Sequence, residues 1–230
     1  MFDKPTFYYY CIFAFLIHTL WLCEFLYRDG MSSYLYLTCW ALNLQTFYYW
    51  SELLKEHVRF GAYIPTDIVQ NIMWCVSAYI PMYWVFKLMF DWHTSTSIYF
   101  NLCIHGMNSI SALITIYFQP RIEWKYIKYV YGFAGIYFLT AIAYTNIADE
   151  SIYPTNFFSF KEIGVLIIML FLIAILIPIY QYIGIYISKK VLSKRKIHAY
   201  NTVSEMGDFD PFENIDMARK LDITAAEELT

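Results

Sequence analysis

The sequence is short of charge. Only 15% of its 230 residues are Asp, Glu, Lys or Arg, while 59% are hydrophobic. A water-soluble domain is nearer a quarter charged. The excess apolar surface therefore calls for a nonaqueous solvent, and the bilayer supplies one. Cysteines at metal-ligand spacing are missing too. Cys11, Cys23, Cys39, Cys75 and Cys103 are scattered through apolar stretches with no CxxC among them. Their odd number and wide spacing argue against a disulfide framework or a zinc site. They predict reduced thiols buried as small hydrophobes. No A-x-A-like cleavage site follows the first apolar stretch, residues 7–27. That stretch is too long for a signal-peptide core and predicts a first transmembrane helix. Apolar and polar residues do not alternate, so strands are not expected. No internal repeat is present.

What is abundant points the same way. Aromatic residues make up 21% of the chain, 23 of them Tyr, and amphipathic rings favour the headgroup interface. Six apolar segments stand out: 7–27, 34–53, 67–90, 97–118, 129–145 and 162–188. Each is near or above the roughly 20 residues that a spanning helix needs. Short polar breaks such as "RDG" (28–30) and "QPRIEWK" (119–125) separate them, which implies antiparallel neighbours in one bundle. If the N-terminus is cytoplasmic, 13 of the 16 basic residues fall on that side, among them Lys55, Arg121, Lys125, Lys128 and the run from Lys189 to Lys196. Arg28, Lys87 and Lys161 fall on the other. The positive-inside rule then puts both termini in the cytoplasm. The expected fold is an all-α integral membrane protein, a six-transmembrane-helix bundle over residues 1–188. Residues 189–230 form a basic flank followed by an acidic, flexible cytoplasmic tail, with room for a short helix near 216–221. The expected location is multi-pass, in an endomembrane such as the endoplasmic reticulum or in the plasma membrane.

Ionisable groups inside spans are costly and face the bundle interior. His18 and Glu24 on the first segment read as structural hydrogen-bonding groups, Glu24 reaching the interface. His105 has company at helical spacing, with Asn108 at i+3, Ser109 at i+4 and Ala112 at i+7. Such a small, polar stripe either glues helices together or carries chemistry. On the second segment Thr38, Ala41 and Gln45 share a face. Thr38 and His105 belong to the same membrane half, about four and eight residues below their segment starts, or roughly 6 and 12 Å. A hydroxyl and an imidazole at comparable depth suit a nucleophile–base pair. A threonine in a membrane helix also commonly bonds back to its own i−4 carbonyl, so packing remains the other reading. No second His or carboxylate stands at ligand spacing around His105, so no metal is expected.

"YLTCWALNLQ" (36–45), "HGMN" (105–108) and "IYP" (152–154) occur in an order and spacing that resembles the androgen-induced family, that of the androgen-induced gene 1 product and the androgen-dependent TFPI-regulating protein. The similarity spans roughly residues 30–190; the related rolling-stone family has a similar layout. The resemblance implies an integral membrane hydrolase of fatty acid esters of hydroxy fatty acids. It implies Thr38 as nucleophile and His105 as base. Asn108 and Gln45 have the donor chemistry an oxyanion needs, and Ser109 joins them as a supporting group. Family members commonly carry a second histidine where this chain has Asn108. The expected partners are a lipid ester drawn from the bilayer and membrane lipids, with no nucleic acid and no cofactor. Two other classes stay open: a noncatalytic multi-pass scaffold or adaptor, and a haem protein with His18 and His105 as axial ligands.

Overall fold

In an apolar solvent a backbone must satisfy its own hydrogen bonds, and a helix does so within one segment. A computed structural model describes residues 4–30, 34, 36–57, 64–89, 98–148 and 163–205, and the side chains among them other than those of 29, 56, 78–89, 98–105, 165, 169 and 198–205. All six apolar segments are α-helices: α1 (Lys4–Asp29), α2 (Leu37–His57), α3 (Thr66–Met89), α4 (Ile98–Phe118), α5 (Ile127–Ala148) and α6 (Ile163–Glu205). A short 3-10 turn, Trp124–Tyr126, precedes α5. Among the described residues, three helices are long and apolar enough to cross a membrane: Lys4–Arg28, Trp124–Ala148 and Leu166–Ile197. Local signals set the ends. Gly30, the glycine of "RDG", takes φ +61° just past α1, the left-handed position that favours glycine at a helix C-terminus. Pro65 precedes α3, and its carbonyl accepts from the N–H groups of Ile68 and Val69. One end departs from expectation. The last helix does not stop at residue 188 but continues through the basic run to Glu205. Lys and Arg are good helix formers, so charge there ends the apolar segment without ending the helix.

The chain divides into two compact units, Met1–Lys190 and Val191–Thr230. In the first, α1 packs on α2, α3 packs on α2, α4 and α5, and α4 also meets α1 and α2. Tyr8 of α1 bonds His57 at the far end of α2, 2.8 Å away, so α1 and α2 run antiparallel. The burial pattern is inverted relative to a soluble domain. Phe13, Leu16 and Leu20 of α1, Ile136 and Leu139 of α5, and Ile167, Phe171 and Ile175 of α6 point outward. His18, Gln45, Gln70, Asn71, Asn108, Thr115 and Gln181 are buried to 1% exposure or less. Outward apolar faces and inward polar ones suit a lipid surround. Of the cysteines, Cys11, Cys39 and Cys75 are buried as expected, but Cys23 is exposed. It falls on the outward side of α1, where a thiol is apolar enough to face lipid.

α6 carries Pro178 inside the helix. Proline cannot donate to the carbonyl four residues back, which is Ala174. That carbonyl instead accepts from the Tyr131 hydroxyl of α5 at 3.1 Å. A second tie lies six residues on, where the Trp74 indole of α3 donates to Tyr180 O at 2.8 Å. The close approach depends on Gly184. A methyl group there would overlap the Trp74 indole and come within 2.9 Å of the Ile122 side chain. Tyr131→Phe should therefore cost about 1 kcal/mol, and Gly184→Ala more, up to about 3 kcal/mol from overpacking. Thermal unfolding of the detergent-solubilised protein should show that order.

Candidate functional site: a buried polar layer

Four helices bring side chains to one level. Gln45 of α2 donates its amide N–H groups to Ser77 Oγ of α3 at 2.9 Å and to the Asn108 backbone carbonyl of α4 at 2.8 Å. A backbone carbonyl can only accept, so the Gln45 nitrogen must face it. Oε1 is turned away and meets no protein donor. Ser109 Oγ donates to Ser77 O at 2.8 Å, which ties α4 to α3 a second time. From α1, His18 packs against the Tyr49 ring, with centroids 5.4 Å apart. Gln45 is the polar side chain within electrostatic reach of the ring, but the two are not in hydrogen-bonding geometry. His18 Nδ1 lies 2.7 Å from Ala14 O; the carbonyl accepts, so Nδ1 carries a proton. His18 Nε2 has no protein partner, and neither Oδ1 nor Nδ2 of Asn108 has one. The layer thus holds four unpartnered, fully buried polar atoms on His18, Gln45 and Asn108.

One turn further along α2 and α4 the seam is satisfied. The Tyr49 hydroxyl is 2.9 Å from Thr115 Oγ1 and donates towards Ser111 O at 3.3 Å. Tyr10 of α1 donates to the same carbonyl at 3.1 Å. These contacts fix the register, because Gln45 is level with Asn108, and Tyr49 with Ser111 and Thr115. α2 and α4 therefore run parallel. Thr38 precedes Gln45 by seven residues and His105 precedes Asn108 by three. Their backbone levels differ by four residues, or roughly 6 Å. Thr38 is half-buried, on the helix side that also carries buried Ala41, Gln45 and Tyr48. The backbone of His105 is part of α4, but its side chain lies outside the described residues, as do the whole of 152–154 and 216–221. An open apolar groove of about 330 Å³, lined by Tyr34, Trp40, Asn43, Leu44, Phe47 and Phe133, occupies the opposite side of α2 from Gln45 and is separate from the layer.

A second polar cluster closes one end of the bundle. Arg121, in the link between α4 and α5, pairs with Asp67 at 3.1 Å and with Glu52 at 3.7 Å. Lys55 joins Glu52 at 3.2 Å and also bonds Thr66. Burial alone would lower the Arg121 pKa, but Glu52 and Asp67 outweigh it and hold the guanidinium above its ordinary value. Gln181 of α6 donates to Asn71 Oδ1 at 2.7 Å and to Glu123 O at 2.6 Å, and Asn71 donates to Arg121 O at 2.9 Å. These groups staple the α4–α5 link to α3 and α6. Glu24, expected at an interface, pairs with Arg28 at 2.6 Å.

The sequence pattern does not single out Ser77, Tyr49, Asn71 or Gln181, and it marks His18 as a structural hydrogen-bonding group. In the fold His18 is beside Gln45 and Tyr49. A signal for α3 was present: Asp67, Gln70, Asn71 and Ser77 recur at near-helical spacing, the mark of a polar stripe. Each layer residue should respond differently to an apolar swap of similar size. Gln45→Leu removes the donor to Ser77 Oγ and the second donor to the Asn108 carbonyl, so about 1–3 kcal/mol of stability should be lost. Asn108→Leu leaves no protein partner behind and should cost less. Denaturation midpoints of the two variants in one detergent would check the order. Compared with models of protein families, with curated proteins and with solved structures, the chain finds no match.

Proposed function

We propose that the chain is a multi-pass protein of six spans with cytoplasmic termini, and that it hydrolyses lipid carboxylic esters inside the bilayer. Fatty acid esters of hydroxy fatty acids are the substrate class its sequence resemblance implies. Thr38 is the nucleophile and His105 its general base. The observation that carries the reading is the Asn108 side chain: fully buried, without a protein partner, and one helical turn along α4 from His105. Burying a polar group unmatched costs free energy, which is understandable if the group's partner is a reacting molecule. A stripe that only glued helices would use its amide to bond a neighbour, as Gln45 does.

The ester enters laterally from lipid. Neutral His105 takes the Thr38 proton as Oγ attacks the ester carbonyl. The oxyanion accepts from Asn108 Nδ2. Gln45, whose N–H groups are engaged with Ser77 and Asn108 O, holds the α4 backbone in register, and Ser109 of α4 helps by bonding the Ser77 carbonyl of α3. The tetrahedral intermediate expels the alcohol, which takes the proton from His105, and water then hydrolyses the acyl-threonine.

Thr38→Ala and His105→Ala should each nearly abolish hydrolysis of such an ester by the reconstituted protein. The double variant should be little worse than either, because residues that act as a unit are not additive. His105→Gln, which keeps a hydrogen-bonding group but cannot cycle a proton near neutral pH, should also be inactive; a stable, fully active His105→Gln protein overturns the assignment. Asn108→Leu should lower kcat by about 100-fold while remaining folded. For the topology, protease added to sealed, cytoplasm-out vesicles should remove a C-terminal tag.

A further inference from the structure

His18 Nε2 and Gln45 Oε1 pose a problem that the esterase reading does not use. Both lie in the layer, both are buried to 1% exposure or less, and neither has a protein donor. Their chemistry is settled by their other contacts. Nδ1 of the imidazole is committed to Ala14 O, so in the neutral ring Nε2 is a bare acceptor. The Gln45 nitrogen is committed to Ser77 and Asn108 O, so Oε1 is an acceptor too. Two acceptors side by side in a dry interior repel unless a donor stands between them. Asn108 adds the complement, an unpartnered N–H donor group together with a third acceptor, Oδ1. A molecule that donates twice and accepts once or twice fits this set, and water does so with groups that number within its usual two to four partners.

We propose that His18, Gln45 and Asn108 form a built site for one water molecule, and that this is the water that deacylates Thr38. The second half rests on the esterase reading. The water donates to His18 Nε2 and Gln45 Oε1 and accepts from one N–H of Asn108 Nδ2, the other N–H being the oxyanion's. Asn108 stands three residues from His105 on α4, a backbone rise of roughly 4.5 Å, which is the spacing on which the deacylation role rests. In deacylation the water oxygen bonds the acyl carbon and its proton passes to His105. The acyl–oxygen bond breaks, and His105 returns the proton to Thr38 Oγ. His18 is a positioning residue, because it holds the water and never touches the acyl group.

The experiment has two arms. The first is nitrogen-15 NMR of His18 in the otherwise unaltered full-length protein in lipid nanodiscs, and it does not depend on any activity. A neutral ring protonated at Nδ1, with Nε2 showing a cross-peak to water protons, is expected. An imidazolium, or a neutral ring with a dry Nε2, overturns the site. The second arm follows turnover of a fatty acid ester of a hydroxy fatty acid by intact mass after acid quench. His18→Leu should lose about 10-fold or more in kcat, keep its burst of released hydroxy acid, and accumulate an acyl adduct on Thr38. His18→Gln, which restores an acceptor, should recover much of the rate and lose the adduct. Equal turnover without adduct in His18→Leu overturns the deacylation role. If His18→Leu does not fold, His18→Asn takes its place: it keeps a short polar group but cannot reach the water, and it should show the same adduct. Absence of Thr38-dependent hydrolysis in the unaltered protein would instead strike the esterase reading and the deacylation role together, leaving the water site to the NMR result.

Discussion

Everything inside this bundle answers to one constraint: a polar group taken out of water must find a partner, because lipid offers none. The Ala174 carbonyl freed by Pro178 is met by Tyr131. Tyr10, Tyr49 and Thr115 bond one another. Asn71 and Gln181 gather the backbone groups of the α4–α5 link. With no hydrophobic drive between apolar helix faces in lipid, such bonds and close packing decide which helices associate and in what rotation. The outward faces of α1, α5 and α6 are left to the solvent that suits them.

Against that background the layer of His18, Gln45 and Asn108 stands out by concentration. Four unmatched polar atoms meet there, whereas elsewhere among the described residues they occur singly, on Thr46, Tyr48, Gln70, Thr145 and Ser188. The contrast with Tyr49, one turn away on α2, and Thr115, two turns away on α4, is instructive. There the hydroxyls satisfy each other and a backbone carbonyl, and the turn is a packing device. A site for chemistry needs the opposite: donors and acceptors held in place and left open for a molecule that arrives. Gln45 makes the difference between the two, since its bonds to α3 and α4 fix where the open atoms lie.

The charged end of the bundle has a different task. Glu52, Asp67, Lys55 and Arg121 come from α2, α3 and the α4–α5 link. They lie where the chain leaves its apolar segments, and they hold the link down. Arg121 alone would be costly to bury, and its two carboxylate partners are what make the position tolerable. The same link carries Ile122, which with Gly184 and Trp74 sets how closely α6 approaches. Charge pairing at this end and hydrogen bonding in the middle thus fix the same helices at two levels.

Much of this was legible in the sequence because it is local. Low charge and long apolar runs determined the solvent, and continuous apolarity determined helices. The starts of all six fall within three residues of those the hydropathy marks, and Gly30 marks the end of α1. The polar stripe of Asn108, Ser109 and Ala112 and the matching stripe of Ala41 and Gln45 were visible from the 3.6-residue period. What only the tertiary structure decided is which stripe meets which. Gln45 finds Asn108 across 63 residues of chain and Gln181 finds Asn71 across 110. Those pairings depend on the rotation and axial register of helices far apart in sequence. Hydropathy does not encode that register, and packing of the whole bundle sets it. For the same reason His18, isolated in its own segment, became a neighbour of Gln45 and Tyr49 only once α1 had been rotated onto α2.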